Sequence, residues 1–382
     1  MSREARQVHT ADPELGDNVS DLLYKAAKQS WENRPGAVVE MHPSFSGWRA
    51  LRPDYKPTDC YEGMGSDGIG TKVEVAERLQ DHSTVAYDLF AMACDDAVIR
   101  GAEPVAINTV LDVNELRDGD LLTEQAIRDL ARGYVAAAET AGVVILNGET
   151  AELGDRVGGY GRFNYNWSGT VLWYAQRDRV LTGHNIRPGD HLIGLPEAGF
   201  RSNGISDVRE AMAVRYGEQW HDVVLRHLGS LSLGQLTETP STIYSRLITR
   251  LTGGFDVNQQ PLVELHGAAH ISGGGQPEKM RRMLEPSGYG ALIDDPVSPP
   301  DVMLEAQSAA GYSDTMAYRR WHMGPGMVLV VPEGESDAAL EIIDDAGYDP
   351  RRIGVATSNP GIKIRNRGLV GGTKNKDPWL KF

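Results

Sequence analysis

Gly63-Met-Gly-Ser-Asp-Gly-Ile-Gly-Thr-Lys72 decides how the rest of the chain is read. Four glycines fall within positions 63–70, where the chain's own average of 43 in 382 gives about one. Without a Cβ, backbone amides can approach an anion closely, and Asp67 stands inside the run. A flexible turn is the plain alternative. The run is not a Walker A loop, because GxxxxGK[ST] is absent.

Outward from this run, strand and helix patterns alternate. Ser83 or Thr84 is placed to cap a helix that stops at Gly101, with Pro104 just beyond. Residues 105–111 read as a buried strand. Thr123 caps a second helix, with Ala126, Ile127, Leu130, Tyr134 and Ala138 at helical spacing, ending at Gly142. Residues 143–146 form a short apolar strand that runs into Asn147-Gly-Glu-Thr-Ala-Glu152, and 167–174 read as another strand. Before the glycine run lies a polar arm with one helical stretch, 19–31, and irregular chain around Pro35, Pro43, Pro53 and Pro57.

A turn-rich boundary falls near 179–190, and the grammar then repeats. Strands are expected at 191–195 and 327–331, and 266–271 leads to the Gly273 run. Helices are expected around 207–214, at 243–251, from Pro277 and at 335–346. This predicts an α/β (α+β) fold with an arm at 1–60, one domain at 61–182, a second at 183–366 and a flexible tail at 367–382.

The 382 residues carry 38 basic and 53 acidic side chains, a net charge of −15. That balance argues against nucleic acid or an anionic membrane as partner. No run of about 20 apolar residues is present, and the first residues lack the apolar core of a secretory signal. Two cysteines, Cys60 and Cys94, make no disulfide framework, so a cytoplasmic setting is expected. Neither sits in a CxxC pair and HExxH is absent, which argues against zinc.

The chemistry concentrates in acidic and glycine-rich positions. On the first strong helix Leu89, Met92, Asp96 and Ile99 share one face, which puts Asp96 on an apolar stripe. A buried carboxylate needs a partner, either a metal ion or a network, or a salt bridge within the core. Asp88 and Asp95 fall on a neighbouring face and could be solvated. Glu149 and Glu152 follow a buried strand, where α/β folds place ligand-binding groups; a surface turn is the plain alternative. Acidic residues beside glycine at separated turns suit Mg²⁺, which takes oxygen ligands and bridges phosphates. Gly273-Gly-Gly275 before Pro277 would expose amides at a helix N-terminus, unless it is a hinge. Arg201-Ser-Asn-Gly204 is a second cradle of that type.

Taken in order, these segments resemble the phosphoribosylformylglycinamidine cyclo-ligase family, also called AIR synthetase. The motifs are Asp67-Gly-Ile-Gly-Thr-Lys72, Asp88-Leu-Phe-Ala-Met-Ala-Cys-Asp-Asp96 with Gly101-Ala-Glu-Pro104, Gly148-Glu-Thr-Ala-Glu152, Ser202-Asn-Gly204, Pro240-Ser-Thr-Ile-Tyr244, Ala269-His-Ile-Ser-Gly-Gly-Gly275 and Tyr318-Arg-Arg-Trp-His-Met-Gly324. The resemblance implies an N-terminal half whose strands build the barrel of a homodimer, with a C-terminal α/β half packed on it. It implies Mg²⁺ on Asp67, Asp96 and Glu149. ATP would lie near Asp67, Gly68, Gly70, Thr71, Lys72, Gly148, Glu149 and Thr150. A phosphoribosyl substrate would lie near Ser202, Asn203, Gly204, Gly273, Gly274 and Gly275. Lys72, Asp96 and Arg201 would be catalytic. The implied reaction is ATP-dependent closure of an imidazole ring in purine biosynthesis. The alternatives are a kinase or synthetase of the same superfamily with another acceptor, or nucleotide binding without turnover.

Several positions depart from the family pattern. It has asparagine at Asp95, histidine at Arg201, arginine at Thr242, asparagine at Lys279, Phe-Asn at Trp321-His322, and aspartate at Asn166. The segment 44–48 is at best a remnant of the family's glycine-rich stretch. Arginine stays protonated at working pH, so at 201 it could not serve as an acid or base. Its fork of donors suits a phosphate oxygen pair, and it is expected to grip the substrate or a transferring phosphoryl group, or else to be an exposed turn residue.

Overall fold

The computed structural model describes residues 13–40, 49–117, 119–369 and 378–382. The first residues of the arm, the segment 44–48 and residues 370–377 of the tail lie outside the described residues.

The strands, in chain order, are β1 (Val38–Glu40), β2 (Arg49–Leu51), β3 (Cys60–Gly68), β4 (Glu103–Val113), β5 (Val144–Glu152), β6 (Tyr165–Gln176), β7 (His191–Pro196), β8 (Gly267–His270), β9 (Gly290–Ile293), β10 (Pro325–Val331), β11 (Arg351–Thr357), β12 (Ile362–Arg365) and β13 (Trp379–Lys381). The helices are α1 (Pro13–Gln29), α2 (Val73–Leu79), α3 (Val85–Val98), α4 (Leu121–Ala141), α5 (Ile205–Tyr216), α6 (Leu233–Thr237), α7 (Ser245–Thr252), α8 (Gly275–Leu284), α9 (Asp301–Ala310), α10 (Asp314–Arg320) and α11 (Ser336–Asp345). β1 pairs with β2. One sheet runs β3-β6-β4-β5 and the other β13-β12-β9-β11-β7-β10-β8. The architecture is mixed α/β.

In the four-stranded sheet, residues alternate between two faces. Ile107, Leu111 and Val113 turn into the core beneath α3 and α4, while Asn108 and Val110 point the other way. On that second face Met64 is 72% and Val110 41% exposed. The seven-stranded sheet is covered on both sides. Leu192, Val328 and Val330 meet Val208, Met212, Met280 and Met303. Ile193, Leu195 and Leu329 meet Leu247, Ile248, Ala339 and Ile343.

Three expectations need correction. The stretch from Gly63 to Gly68 is not a loop but part of β3, paired residue by residue with β6. Gly63 serves close packing: a Cβ there would lie 2.2 Å from the Trp173 ring. Of the four glycines only Gly70 takes a left-handed φ, +68°. Gly148, Glu149 and Thr150 likewise do not follow a strand; they lie within β5, opposite Thr109, Val110 and Leu111 of β4. The far end of the tail is ordered as β13, which pairs with β12 at the sheet edge.

A further correction concerns α3. Its Asp88 and Asp95 are fully buried, whereas Asp96 keeps 41% of its side chain exposed. An apolar stripe identifies the buried face only when the other faces meet water. Here α3 is buried nearly all round, with β3, β4, β6 and α4 on one side and α7 on another. The acidic positions therefore divide according to which residues of the C-terminal half stand opposite them.

Candidate active site at the junction of the two halves

Lys72 follows β3 in a single 3₁₀ turn that delivers its side chain into the junction. Its ammonium donates to Asp88 Oδ1 at 2.9 Å, the Phe200 carbonyl at 2.8 Å and the Thr239 carbonyl at 2.7 Å. Ser241 Oγ donates to the same Asp88 oxygen at 2.5 Å. Both charged side chains have no exposure. All three ammonium donors are thus used, and Lys72 is a strut between the halves rather than a free phosphate-contacting lysine. Burial raises the Asp88 carboxyl while Lys72 opposes that shift.

Arg201 is also buried, contrary to both readings of it as a substrate grip and as an exposed turn residue. Nη1 donates to Glu197 Oε2 at 2.5 Å and to the Thr242 carbonyl at 3.0 Å. Nη2 donates to Asp95 Oδ2 at 3.0 Å and to His270 Nε2 at 2.8 Å. The Tyr244 amide donates to Asp95 Oδ1 at 2.9 Å. Burial lifts the Asp95 carboxyl to about 7 even with Arg201 alongside. The departures at 95, 201 and 242 therefore meet in one network, where Thr242 also donates its hydroxyl to Glu197 at 2.9 Å. His322 is structural too: Nε2 donates to the Gly199 carbonyl at 2.7 Å and Nδ1 accepts from the Gly324 amide at 3.1 Å. Asn166 is exposed on β6, opposite Asp112.

His270, at the end of β8, connects this network to Asp96, whose Oδ1 lies 2.7 Å from His270 Nδ1. The imidazole is held neutral, its pKa pushed down to about 4 by burial and then by the Arg201 charge. Asp96 lies below the usual carboxylate range; burial opposes this, but the His270 hydrogen bond and nearby Lys279 outweigh it. Asp67, at the end of β3, is raised by burial and by the charge of Asp96, against the Gly68 amide and Lys279. Asp96, Arg100, Thr182, His270, Lys279 and Arg282 line a polar cavity of about 210 Å³ between α3, β8 and α8. His270 was not singled out for chemistry from the sequence, and Lys279 was marked only as a departure from the family pattern. The available signal was a histidine three residues ahead of the Gly273 run and a lysine one turn into the following helix.

Glu149 does not join Asp67 and Asp96 within one chain. Asp67, Gly169, Thr109 and Gly148 stand in one row across β3, β6, β4 and β5. Three strand spacings of about 4.8 Å separate the two ends, so Glu149 is roughly 14 Å from the Asp67 edge. Gly148, Glu149 and Thr150 instead line a cavity of about 630 Å³ with Tyr24, Arg49, Asn147 and Trp167. Among the described residues no group of three or more His, Cys, Asp or Glu is placed to hold a metal ion. Asp67 and Asp96 together do offer the one or two carboxylates that Mg²⁺ uses when phosphates and water complete its shell.

The two glycine turns are brought together. Gly204 has φ +81° and lies against Trp321, whose Nε1 donates to the Gly204 carbonyl at 3.2 Å. A Cβ on Gly273 would sit 3.4 Å from the Asn203 amide. Ser202 Oγ and Asn203 Oδ1 are buried without a hydrogen-bond partner. Such orphaned polar atoms mark a place where a ligand can bind. Thr71 reaches this region, its hydroxyl 3.0 Å from that of Ser206.

Residues 55–171 match the family model for the AIR synthase related protein N-terminal domain, and 187–366 match its C-terminal domain. The chain is 30% identical to a phosphoribosylformylglycinamidine cyclo-ligase of Pyrococcus furiosus, over 94% of this chain and 96% of that one. It is 35% identical to one from Shouchella clausii, over 80% and 83%. Similar solved structures include the hydrogenase maturation protein HypE in complex with ATP, with TM-score 0.57, 16% identity and coverage of 96% and 92%. Another is thiamine-monophosphate kinase from Stenotrophomonas maltophilia, with TM-score 0.61, 15% identity and coverage of 91% and 97%. At those identities the likeness establishes the fold.

Proposed function

Because this chain belongs to the AIR synthase related family, we propose that it is an enzyme that uses ATP to close the imidazole ring of aminoimidazole ribonucleotide from formylglycinamidine ribonucleotide. The observation that carries the reading is the polar cavity at the junction of the halves lined by Asp96, Arg100, His270 and Lys279, with Asp67 close enough for its carboxyl to feel the Asp96 charge. Near-full-length likeness to cyclo-ligases supports the choice of substrate.

The amide oxygen of the formyl group attacks the γ-phosphorus, and ADP leaves. The amidine nitrogen then attacks the activated carbon and loses a proton. Phosphate departs, carrying the former amide oxygen. An amide oxygen is a poor leaving group and phosphate a good one, so positioning and charge neutralisation supply most of the catalysis. Asp67 and Asp96 would hold Mg²⁺, whose chemistry is to neutralise phosphate charge. Lys279 and Arg100 place positive charge on the cavity wall. Ser202, Asn203 and the Gly273–Gly275 turn would hold the phosphoribosyl end. Arg201 has both Nη atoms committed to protein partners and stays protonated, so it moves no proton.

The homodimer belongs to the same proposal. Two copies joined through their four-stranded sheets would cover Met64 and Val110, and could bring Glu149 of one copy towards Asp67 of the other. Among the described residues no helix is long and apolar enough to cross a membrane. The net charge and the two free cysteines support a cytoplasmic setting.

The test is ADP release that depends on formylglycinamidine ribonucleotide, with the aminoimidazole product followed in parallel. A stable phosphorylated product without ring closure would assign the chain to a kinase reaction instead. ATP binding with no substrate-dependent ADP would make it a binding protein.

A further inference from the structure

We propose that Arg201 is a positioning residue that acts on Asp96 through His270, by fixing which imidazole nitrogen carries the proton. This rests on the reading of Asp96 as a group that faces nucleotide phosphates. A guanidinium can only donate. Arg201 Nη2 stands 2.8 Å from His270 Nε2, so that nitrogen must present its lone pair. The ring is completely buried, and a second ring proton would face the guanidinium with like charge. The single proton is therefore on Nδ1, 2.7 Å from Asp96 Oδ1. Donation there commits Oδ1 and leaves Oδ2 as the oxygen available to the cavity.

The opposite tautomer would oppose two donors at Arg201 and two acceptors at Asp96. Arg201 cannot swing aside to permit it, because Glu197, Asp95 and the Thr242 carbonyl hold the same guanidinium. Orientation thus passes from two buried carboxylates through Arg201 and His270 to a carboxylate at the cleft. Lysine could not substitute: three donors on one nitrogen cannot serve four partners spread over a planar fork.

Ring-nitrogen spectra of ¹⁵N-labelled protein read the tautomer without substrate, with His270→Asn identifying the signal. The expected result is the Nδ1-protonated form; an Nε2-protonated ring overturns the proposal. Kinetics and ATP calorimetry test the consequence. His270→Leu removes the donor to Asp96 and should lower kcat or ATP affinity by about 10–100-fold, the range for groups that orient a ligand. His270→Asn keeps an amide donor near the Nδ1 position and should recover most of that loss, a rescue that a merely structural role would not give. If the leucine variant does not fold, His270→Gln, which matches Nε2 but not Nδ1, takes its place. If the leucine or glutamine variant folds with wild-type kcat and ATP affinity while Asp96→Asn loses ATP, the relay is wrong and the site reading stands. If Asp96→Asn binds ATP as well as wild type, both are wrong.

Discussion

Lys72→Met separates a structural lysine from a phosphate-binding one. Methionine fills much of the same volume but supplies no donor. It leaves Asp88 with Ser241 as its remaining hydrogen-bond partner, and it frees the carbonyls of Phe200 and Thr239 from Lys72. Breaking one side of a buried ion pair costs about 3–5 kcal/mol, mostly through the charge left behind. Asp88 can relieve part of this by taking up a proton, since burial already raises its carboxyl. For a unit of 150–250 residues, 3–5 kcal/mol corresponds to a fall of roughly 6–20 °C in Tm. Adding Asp88→Asn should recover much of the loss, because no uncompensated charge remains. The assay is thermal unfolding of the single and double variants, with ATP calorimetry well below the transition. Wild-type Tm together with lost ATP affinity in Lys72→Met would refute the reasoning and return Lys72 to the phosphates.

Three further outcomes follow from the same geometry. Asp96→Asn should keep its melting profile and lose at least about 10-fold in Mg-ATP affinity by calorimetry, as expected when a charged oxygen ligand becomes an amide. Glu77 is buried, accepts from the Tyr160 amide at 2.7 Å, and is pushed up to about 7 by burial. Its folded pKa lies above its ordinary value near 4.5, so stability falls as pH rises from about 4.5 to 7, on the order of 1–3 kcal/mol. Asp95 works in the same direction. Melts at pH 5.5 and 7.5 should show the decline, and Glu77→Gln should flatten it. Gly63→Ala would place a Cβ 2.2 Å from Trp173 and should lower Tm without altering nucleotide affinity at permissive temperature.

Period and punctuation were enough to place α3, α4, β4 and most of the strands flanking the junction. Gly101 and Gly142, both left-handed, stop their elements where the glycine signal put them. Residues 63–68 misled because glycine in a strand and glycine in a phosphate loop look identical in composition; only the Trp173 ring across the ladder distinguishes them. Asp88, Asp95, Lys72 and Arg201 misled for a related reason. Asp88 and Asp95 look solvated, and Lys72 and Arg201 look free for a phosphate, until the chain is folded around α3; the pairs that satisfy them, Lys72–Asp88 and Arg201–Asp95, are 16 and 106 residues apart. Asp96 was proposed because one carboxylate on a helix face is visible locally, although its side chain is 41% exposed rather than buried. His270 was not, because its role depends on a guanidinium 69 positions away.

The central claim is that the chain transfers the γ-phosphoryl group to an amide oxygen which then leaves as phosphate. Formylglycinamidine ribonucleotide labelled with ¹⁸O in its formyl group, turned over with unlabelled Mg-ATP, tests this directly by mass spectrometry of the released phosphate. The account predicts one ¹⁸O in each phosphate, in step with ADP and the aminoimidazole product. Unlabelled phosphate accompanying that product would contradict it.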